Sequence, residues 1–312
     1  MEEQKMKLVP FKVESFQNMV NEIPWGVQQL QAPEIWANGE KGKGVIIAIC
    51  DTGIDRNHPD LSGQIIGGRN FTNEGSADDF TDNNSHGTHV AGIIAASANE
   101  SGVVGVAPEA KLLICKVLNR EGSGDYSSII NGIRWATNWR GPNGEKVRII
   151  NMSLGGPYND PNMYKAILEA VAAGILIVVA SGNEGDANPN TYEYGYPALY
   201  NECITVAACD ENKKLAYFSN EHLQVDAIAA GVNVVSTYPP SRYATLSGTS
   251  MATPHISGAL ALVINIGEKQ FKRTLTESEI FALLVKCCCS LDYPKSSEGN
   301  GLPELSQIYK QC

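Results

Sequence analysis

Three polar side chains in this sequence are of the types that together cleave acyl bonds. Asp51 ends the apolar run Gly-Val-Ile-Ile-Ala-Ile-Cys, His86 stands in Asn-Ser-His-Gly-Thr-His, and Ser250 lies in Gly-Thr-Ser-Met-Ala-Thr-Pro-His. A serine hydroxyl is a poor nucleophile at neutral pH, so a base must take its proton and an acid must orient that base. We therefore expect Ser250 to be the nucleophile, His86 the general base and Asp51 the orienting carboxylate.

Each of these residues has an ordinary structural interpretation when taken alone. Asp51 could end a strand as a turn former, His86 could be a core histidine, and Ser250 could begin a helix. A lipase or esterase would place its serine in Gly-x-Ser-x-Gly, ahead of the acid and the histidine. Here position 252 is Ala and Ser250 comes last, which argues against that class.

The elements that must position these residues alternate along the chain. Short apolar runs that end in Gly, Asp or Asn alternate with segments of helical period, which predicts βαβ units and a parallel sheet. Ligands bind at the carboxyl ends of such strands, so the pattern predicts a single site there. The predicted strands are Val45–Cys50, Lys111–Val117, Val147–Met152, Ile175–Ala180, Ile204–Ala208 and Val225–Ala229.

Five segments are predicted to be helices: His86–Ala98, Tyr126–Trp139, Pro161–Ala173, Thr249–Ile264 and Thr276–Lys286. Ser85 is expected to cap the helix that begins at His86. The helix from Thr249 is apolar on nearly every side, so it must lie in the core.

Composition narrows the class of protein further. A chain of 312 residues with a formal charge of −10 can form one large domain but lacks the clustered Lys and Arg that nucleic acid requires. Three of its eight cysteines, 287–289, are consecutive, which favours a reducing compartment. The sequence contains no C-x-x-C pair, which argues against a zinc site. No apolar run has the length of a signal peptide or a membrane span. We expect a cytoplasmic, bacterial protein without nucleic-acid or membrane partners.

The motifs Asp-Thr-Gly-Ile-Asp, His-Gly-Thr-His-Val-Ala-Gly and Gly-Thr-Ser-Met-Ala-Thr-Pro-His resemble the active-site motifs of subtilisin-like serine proteases, from about residue 21 to about residue 285. The resemblance implies an α/β, three-layer fold with a central, mostly parallel sheet and helices on both faces. It also implies a serine endopeptidase of broad specificity. In Ala-Ser-Gly-Asn-Glu-Gly it assigns Asn183 to the oxyanion hole, with the Ser250 N–H as second donor. The alternative is a catalytically silent binding protein, which loss of one of these four residues would indicate; none is lost.

The same resemblance assigns the binding of substrate and calcium. Polypeptide substrates would lie between two strand edges, and two further glycines would leave room for the residue before the cut; these residues are Gly122, Ser123, Gly124, Ser153, Leu154, Gly155, Gly156 and Gly195. A calcium ion would be held by oxygen atoms of Asp60, Asn99, Ser97, Ser101, Val103 and Asn21.

The chain also resembles the intracellular branch of that family. An insertion at 138–146 is typical of the branch, and Leu8, Val9, Pro10 and Phe11 match a segment that lies across the cleft as an inhibitor. We therefore expect residues 1–19 to be an inhibitory extension, 20–290 the peptidase domain and 291–312 a tail. Removal of roughly the first 18–20 residues would activate the enzyme. By the same resemblance we expect a homodimer.

Overall fold

The computed structural model describes residues 5–18, 21–188 and 191–309. The predicted boundary between extension and peptidase domain, at 19–20, and the last residues of the predicted tail lie outside the described residues. The strands, in chain order, are β1 (Lys5–Leu8), β2 (Lys12–Gln17), β3 (Asn21–Glu22), β4 (Ile46–Asp51), β5 (Ile65–Asn70), β6 (Gly102–Val103), β7 (Lys111–Lys116), β8 (Ser123–Asp125), β9 (Ile149–Met152), β10 (Leu154–Gly155), β11 (Leu176–Ala180), β12 (Ile204–Cys209), β13 (Val225–Ala230), β14 (Val234–Tyr238), β15 (Arg242–Ser247), β16 (Cys288–Cys289) and β17 (Leu302–Pro303).

The helices pack on this framework, and a 3-10 turn follows them at Leu305–Tyr309. Among the described residues, no helix combines the length and apolar character that crossing a membrane requires. The helices are α1 (Trp25–Gln29), α2 (Ala32–Ala37), α3 (His86–Ala95), α4 (Tyr126–Asn138), α5 (Pro161–Ala172), α6 (Thr249–Phe271), α7 (Glu277–Lys286) and α8 (Lys295–Glu298).

The central sheet has seven strands in the order β13-β12-β11-β9-β4-β7-β5, and every neighbouring pair is parallel. Its inner strands are buried at every position of β4, β9 and β11, as expected for a parallel sheet covered on both faces. The predicted α/β fold class is confirmed.

Side chains of successive strand residues alternate between two layers. On β4, Ile47 and Ile49 enter the core formed with α3 and α6, whereas Ala48 and Cys50 enter the core formed with α4 and α5. Because helices cover both faces, the predicted three-layer arrangement is confirmed. The polar residue that ends β4, Asp51, is thereby left at the carboxyl edge of the sheet.

The central helix α6 is longer than the prediction, which ended at Ile264. Every residue from Thr249 to Ile264 is buried, and the helix then continues through a polar stretch to Phe271. Pro254 lies inside it and has no N–H for the carbonyl of Ser250. The Ser153 hydroxyl donates to that carbonyl at 3.0 Å instead, so the helix start carries no unpaired acceptor there.

The end of the chain packs on the domain. Strand β17 pairs with β16, and Leu305 and Ile308 lie in the main core cluster. The segment therefore contributes to the core through Ile308. The division into extension, peptidase domain and tail stays a prediction.

Candidate active site

Asp51 and His86 form a buried pair at the carboxyl end of β4. Asp51 is 1% exposed, and its two carboxylate oxygens lie 2.8 and 3.0 Å from His86 Nδ1. The Thr52 N–H donates to the same carboxylate at 2.7 Å. The predicted pairing of Asp51 with His86 is therefore present, and the acid is more deeply buried than its position at the sheet edge indicated.

The start of α3, which presents His86, is held by a residue that the sequence analysis missed. Ser85 takes the N-cap position with φ +98°, but its side chain makes no capping hydrogen bond. Asp82 caps the helix instead, because one of its carboxylate oxygens accepts a hydrogen bond from the Thr88 N–H at 2.9 Å. The other oxygen accepts a hydrogen bond from the Thr52 hydroxyl at 2.8 Å. The buried Asp82 carboxylate thus joins the loop after Asp51 to the helix of His86. An aspartate just ahead of a helix start was the signal available in the sequence.

Lys116 lies beneath this loop, fully buried at the end of β7. Its Nζ donates to the Thr52 carbonyl at 2.7 Å. Burial lowers the pKa of Lys116, and nearby carboxylates, Asp82 first among them, oppose that shift. A close backbone approach completes the region, because a Cβ at Gly87 would collide with the carbonyl of Gly53.

Ser250 is the second residue of α6, where the positive end of the helix dipole faces the site. Its hydroxyl is buried and donates to the carbonyl of Ser153 at 3.2 Å. His86 Nε2 is also buried and has no hydrogen-bond partner among the described residues. The hydroxyl and the imidazole are therefore not hydrogen-bonded to each other in this structure, and the proton transfer between them stays a prediction.

The Asn183 side chain lies against the same helix start with a fixed orientation. Its Oδ1 accepts from the Thr249 N–H at 2.9 Å and from the Thr249 hydroxyl at 2.8 Å, so Nδ2 faces outward. That Nδ2 donates to the carbonyl of Pro10. A Cβ at Gly248 would lie 2.9 Å from the same Nδ2, which explains the glycine there.

The predicted strand edges of the cleft enclose the predicted inhibitory segment. Strand β1 is antiparallel to both β8 and β10, with Lys7 opposite Ser123 on one side and Gly155 on the other. The Leu8 N–H donates to the Gly122 carbonyl at 2.8 Å. The structure thus brings Gly122, Ser123, Gly124, Leu154 and Gly155 together along one extended strand.

An open pocket of about 770 Å³ adjoins this strand. The predicted Gly156 and Gly195 line it, together with Val9 of the extension and three tyrosines, Tyr158, Tyr194 and Tyr196. Tyrosines at the mouth were not predicted. Because the small side chain of Val9 leaves most of the pocket open, the pocket has room for a larger side chain.

Two other extension residues make apolar contacts in the cleft. Met6 is fully buried in the core cluster that contains Tyr126 and Leu154. The Phe11 ring packs against the His86 ring, with centroids 4.8 Å apart and planes tilted by 49°. The extension therefore covers both the binding strands and the imidazole.

The predicted calcium ligands gather around Asp60. This carboxylate is 0% exposed and has no cationic partner within 4 Å among the described residues. Asn99 Nδ2 donates to one oxygen at 3.0 Å, and the Val103 N–H donates to the other at 3.1 Å. The Asp60 carbonyl accepts from the Ser97 hydroxyl at 2.9 Å.

The two remaining predicted ligands lie beside this group. The Ser101 N–H donates to Asn99 Oδ1 at 3.2 Å, and Asn21 pairs with Gly102 through β3 and β6. No cluster of three or more His, Cys, Asp or Glu side chains occurs in the described part of the chain. The groups that face the Asp60 carboxylate, which are the Asn99 amide nitrogen, the Val103 N–H and the Tyr243 hydroxyl, all donate hydrogen bonds to it. A calcium ion there would require the Asn99 amide to turn its oxygen toward the carboxylate, so the calcium site stays a prediction.

Three other histidines are held neutral by burial. The pKa of His89 is lowered to about 3, and those of His222 and His255 to about 4, with desolvation as the largest cause. His89 Nε2 lies 3.0 Å from the Ala244 carbonyl and so joins α3 to β15. These side chains carry no charge at neutral pH.

A parallel α/β sheet that presents an aspartate-paired histidine, a helix-start serine and a strand-lined peptide cleft at one edge defines an α/β serine peptidase. The profile described as "Subtilase family" matches residues 42–302. The "Intracellular serine protease" of Paenibacillus polymyxa is 50% identical, with 98% of this chain and 94% of that protein covered. The "Major intracellular serine protease" of Bacillus subtilis (strain 168) is 49% identical, with 97% and 94% covered, and "Subtilisin DY" of Bacillus licheniformis is 46% identical, with 78% and 85% covered. This chain belongs to the subtilase family, and it is a subtilisin-type serine protease.

Proposed function

We propose that this protein is an intracellular serine endopeptidase that hydrolyses unfolded polypeptides and is kept latent by its own N-terminal segment. The observation that carries the proposal is the contact between Asn183 Nδ2 and the Pro10 carbonyl, made while β1 is paired on both sides in the cleft. A peptide carbonyl at an amide donor beside Ser250 is what a substrate would present. The names of the Paenibacillus polymyxa and Bacillus subtilis relatives, both called intracellular serine proteases, support the intracellular assignment.

The proposed chemistry is acyl transfer through a covalent serine ester. Ser250 attacks the peptide carbonyl, His86 takes its proton and returns it to the leaving amine, and Asp51 holds the imidazole tautomer through Nδ1. Asn183 Nδ2 and the Ser250 N–H stabilise the oxyanion that forms. Water then releases the acyl group by the same proton transfers in reverse. Main-chain pairing along β8 and β10 supports broad specificity, because it does not read side chains.

Two features of the extension support latency. The residue whose carbonyl meets Asn183 is Pro10, and proline has neither an N–H nor freedom in φ, so the chain leaves the strand geometry of β1 there. Phe11 then covers the His86 ring, while the Ser250 hydroxyl is turned to the Ser153 carbonyl. With the segment in this position, the Ser250 hydroxyl does not donate to His86 Nε2, so the proton transfer that activates the serine does not take place.

Latency is tested with the full chain, carrying a site-specific protease sequence in place of residues 19–20 and cut after folding. We expect the uncut protein to hydrolyse a reduced, alkylated protein slowly and the cut protein to do so at least tenfold faster. Ser250→Ala is the control in both forms. Equal activity before and after cutting would refute latency. Hydrolysis that persists in Ser250→Ala would refute the nucleophile, and inactivity of both forms would favour the silent binding protein.

We also propose that Asp60, Asn99, Ser97, Ser101, Val103 and Asn21 hold a calcium ion. Calcium should raise the unfolding temperature of the Ser250→Ala chain, because a ligand at about 100 times its dissociation constant stabilises the folded state by about 3 kcal/mol. Asp60→Asn should lose this response, whereas Asp78→Asn, at an exposed carboxylate, should keep it. A response that survives in Asp60→Asn would contradict the site.

We also propose a homodimer, on the basis of the resemblance to the intracellular branch of the family. Sedimentation of the Ser250→Ala chain tests this proposal.

A further inference from the structure

Strand β15 ends at Ser247, directly before Gly248 and the helix of Ser250, and the second half of the extension follows its edge. Strand β2 pairs antiparallel with it, from Lys12 opposite Ser247 to Gln17 opposite Tyr243. On its other side β15 pairs with β14. Removal of the extension would therefore leave the β15 edge open, with a row of unpaired N–H and C=O groups.

The path of the extension shows which chain can reach this edge. Strand β1 lies on one side of Asn183, the Pro10 carbonyl lies at Asn183, and β2 begins at Lys12 on the other side. A polypeptide that lies in the cleft in the direction of β1 has its residues beyond the reacting carbonyl where β2 begins. In the extension the three residues Val9, Pro10 and Phe11 connect β1 to β2, so a chain on the same path reaches β15 within three residues.

We propose that β15 is an extended binding strand for the part of an unfolded polypeptide substrate that follows the cleaved bond, over residues equivalent to 12–17 of the extension. This inference rests on the proposed displacement of the extension. It adds to the peptidase cleft a strand that selects substrates by the length of extended chain beyond the cut. Because main-chain hydrogen bonds hold the added strand, the selection is for unfolded chain rather than for sequence.

The side chains of β2 indicate what this strand tolerates. The pairing skips Glu14, so the edge accommodates a bulge. Phe16 is 57% exposed, and its ring packs on the Tyr238 ring with centroids 5.3 Å apart. The Arg242 guanidinium lies 5.8 Å from the centroid of the Phe16 ring. An aromatic residue at the equivalent substrate position would gain these contacts, but the cleft sets no requirement for it.

A second copy of the protein could also pair with an open edge, yet the substrate has the advantage of tethering. Once its preceding residues are bound in the cleft, the next residues are held beside Ser247 at high effective concentration. A second copy must meet the edge from free solution. The substrate is therefore the occupant that the geometry favours.

The test uses the full chain cut at 19–20 after folding and freed of the released segment by gel filtration. Two fluorogenic peptides share one sequence before the cut and carry either two or eight residues after it. We expect the longer peptide to be hydrolysed with kcat/KM about tenfold higher, mainly through a lower KM, since two or three added main-chain hydrogen bonds suffice for that factor.

Two further peptides of the longer length provide matched controls. They carry proline within the positions equivalent to 15–17, beyond the bulge, in opposite phases, either at 16 alone or at 15 and 17, because alternate N–H groups of an antiparallel strand face its partner. Proline removes an N–H. One phase should abolish the gain from length, and the other should retain most of it.

The outcomes separate this inference from the proposed function. If the short peptide is not hydrolysed by the cut chain, the proposed function fails. If the short peptide is hydrolysed but the long one brings no gain, or if both proline phases behave alike, β15 is not a substrate strand. A cut chain that becomes dimeric only on losing the extension, again without a gain from length, would assign the edge to a second copy and overturn the inference.

Discussion

The two halves of the active site differ in how they are held. The half formed by Asp51 and His86 is fixed by buried side chains of the domain itself, namely Asp82, Thr52 and Lys116. Its hydrogen bonds do not involve residues 5–18, the described part of the extension. In the half formed by Ser250 and Asn183, neither side chain donates to the other half of the site. The Ser250 hydroxyl donates a hydrogen bond to the Ser153 carbonyl, and the Asn183 amide donates one to the Pro10 carbonyl of the extension.

This difference places the control of activity in the second half. An enzyme that is latent because its acid–base pair is unformed would need refolding to become active. Here that pair is already assembled, so the proposed latency would end with release of the extension and rotation of one hydroxyl. The comparison therefore predicts large catalytic effects for changes in the first half, and effects that depend on the state of the extension for changes in the second.

The largest effect is expected in the buried pair. Asp51→Asn in the cut chain should lower kcat about 10⁴-fold, because the amide can no longer hold the His86 tautomer that accepts the serine proton. Steady-state kinetics on a short peptide measure this, with circular dichroism to check the fold. A loss of less than tenfold would show that the Asp51–His86 contact is only structural.

A smaller loss is expected at the oxyanion donor. Asn183→Ala in the cut chain should lower kcat about 10²–10³-fold, the range known for the equivalent amide of subtilisin, a member of the same family. In the uncut chain the same change removes the contact with Pro10 and should loosen the extension. An added protease should therefore release the extension faster from the Asn183→Ala protein. An unchanged release rate would show that the contact between Asn183 and Pro10 does not hold the extension in place.

The extension itself should show a weaker, state-dependent effect. Phe11→Ala removes the ring that packs on His86, so the uncut chain should hydrolyse peptides about tenfold faster. The control is Phe271→Ala, at an exposed ring at the end of α6. After cutting, all three proteins should have equal activity. A Phe11→Ala protein that stays as latent as the parent would show that β1 pairing alone closes the cleft.

The smallest effect near neutral pH comes from His89, three residues after His86. Burial lowers its pKa to about 3, so the unfolded chain binds a proton more readily than the folded one below pH 6.5. The contribution of neutral His89 to the free energy of unfolding is complete above pH 6.5, and it decreases as the pH falls toward 3. Relative to pH 7, we expect about 0.7 kcal/mol to be lost at pH 6 and about 3 kcal/mol at pH 4.

Urea unfolding of the Ser250→Ala chain at pH 7, 6 and 4 measures this loss. His89→Gln removes the titrating group, so its unfolding free energy should fall less between pH 7 and pH 4. Parallel pH profiles for the two proteins would contradict the assignment to His89.

Much of the fold could be predicted because its strands are continuous apolar runs, as in β4 and β11. Strand β5 was missed because Gly67 and Gly68 weaken its pattern, and β1 and β2 could not be predicted because their partners are distant in sequence. The residues predicted for the triad, the oxyanion hole and the calcium site lie near Asp51, Asn183 and Asp60, and their roles stay predictions. The roles of Asp82 and Lys116 could not be predicted, because they depend on contacts between segments that are distant in sequence. The hydrogen bond from the Ser250 hydroxyl to the Ser153 carbonyl likewise joins distant segments.

The central claim is that the extension, and not a missing catalytic group, keeps Ser250 from reacting. Covalent labelling by a fluorophosphonate tests it most directly, because the reagent is small and reports the nucleophile alone. The cut chain should be labelled at Ser250 at least tenfold faster than the uncut chain, and Ser250→Ala should not be labelled at all. Equal labelling rates in the cut and uncut chains would contradict the account.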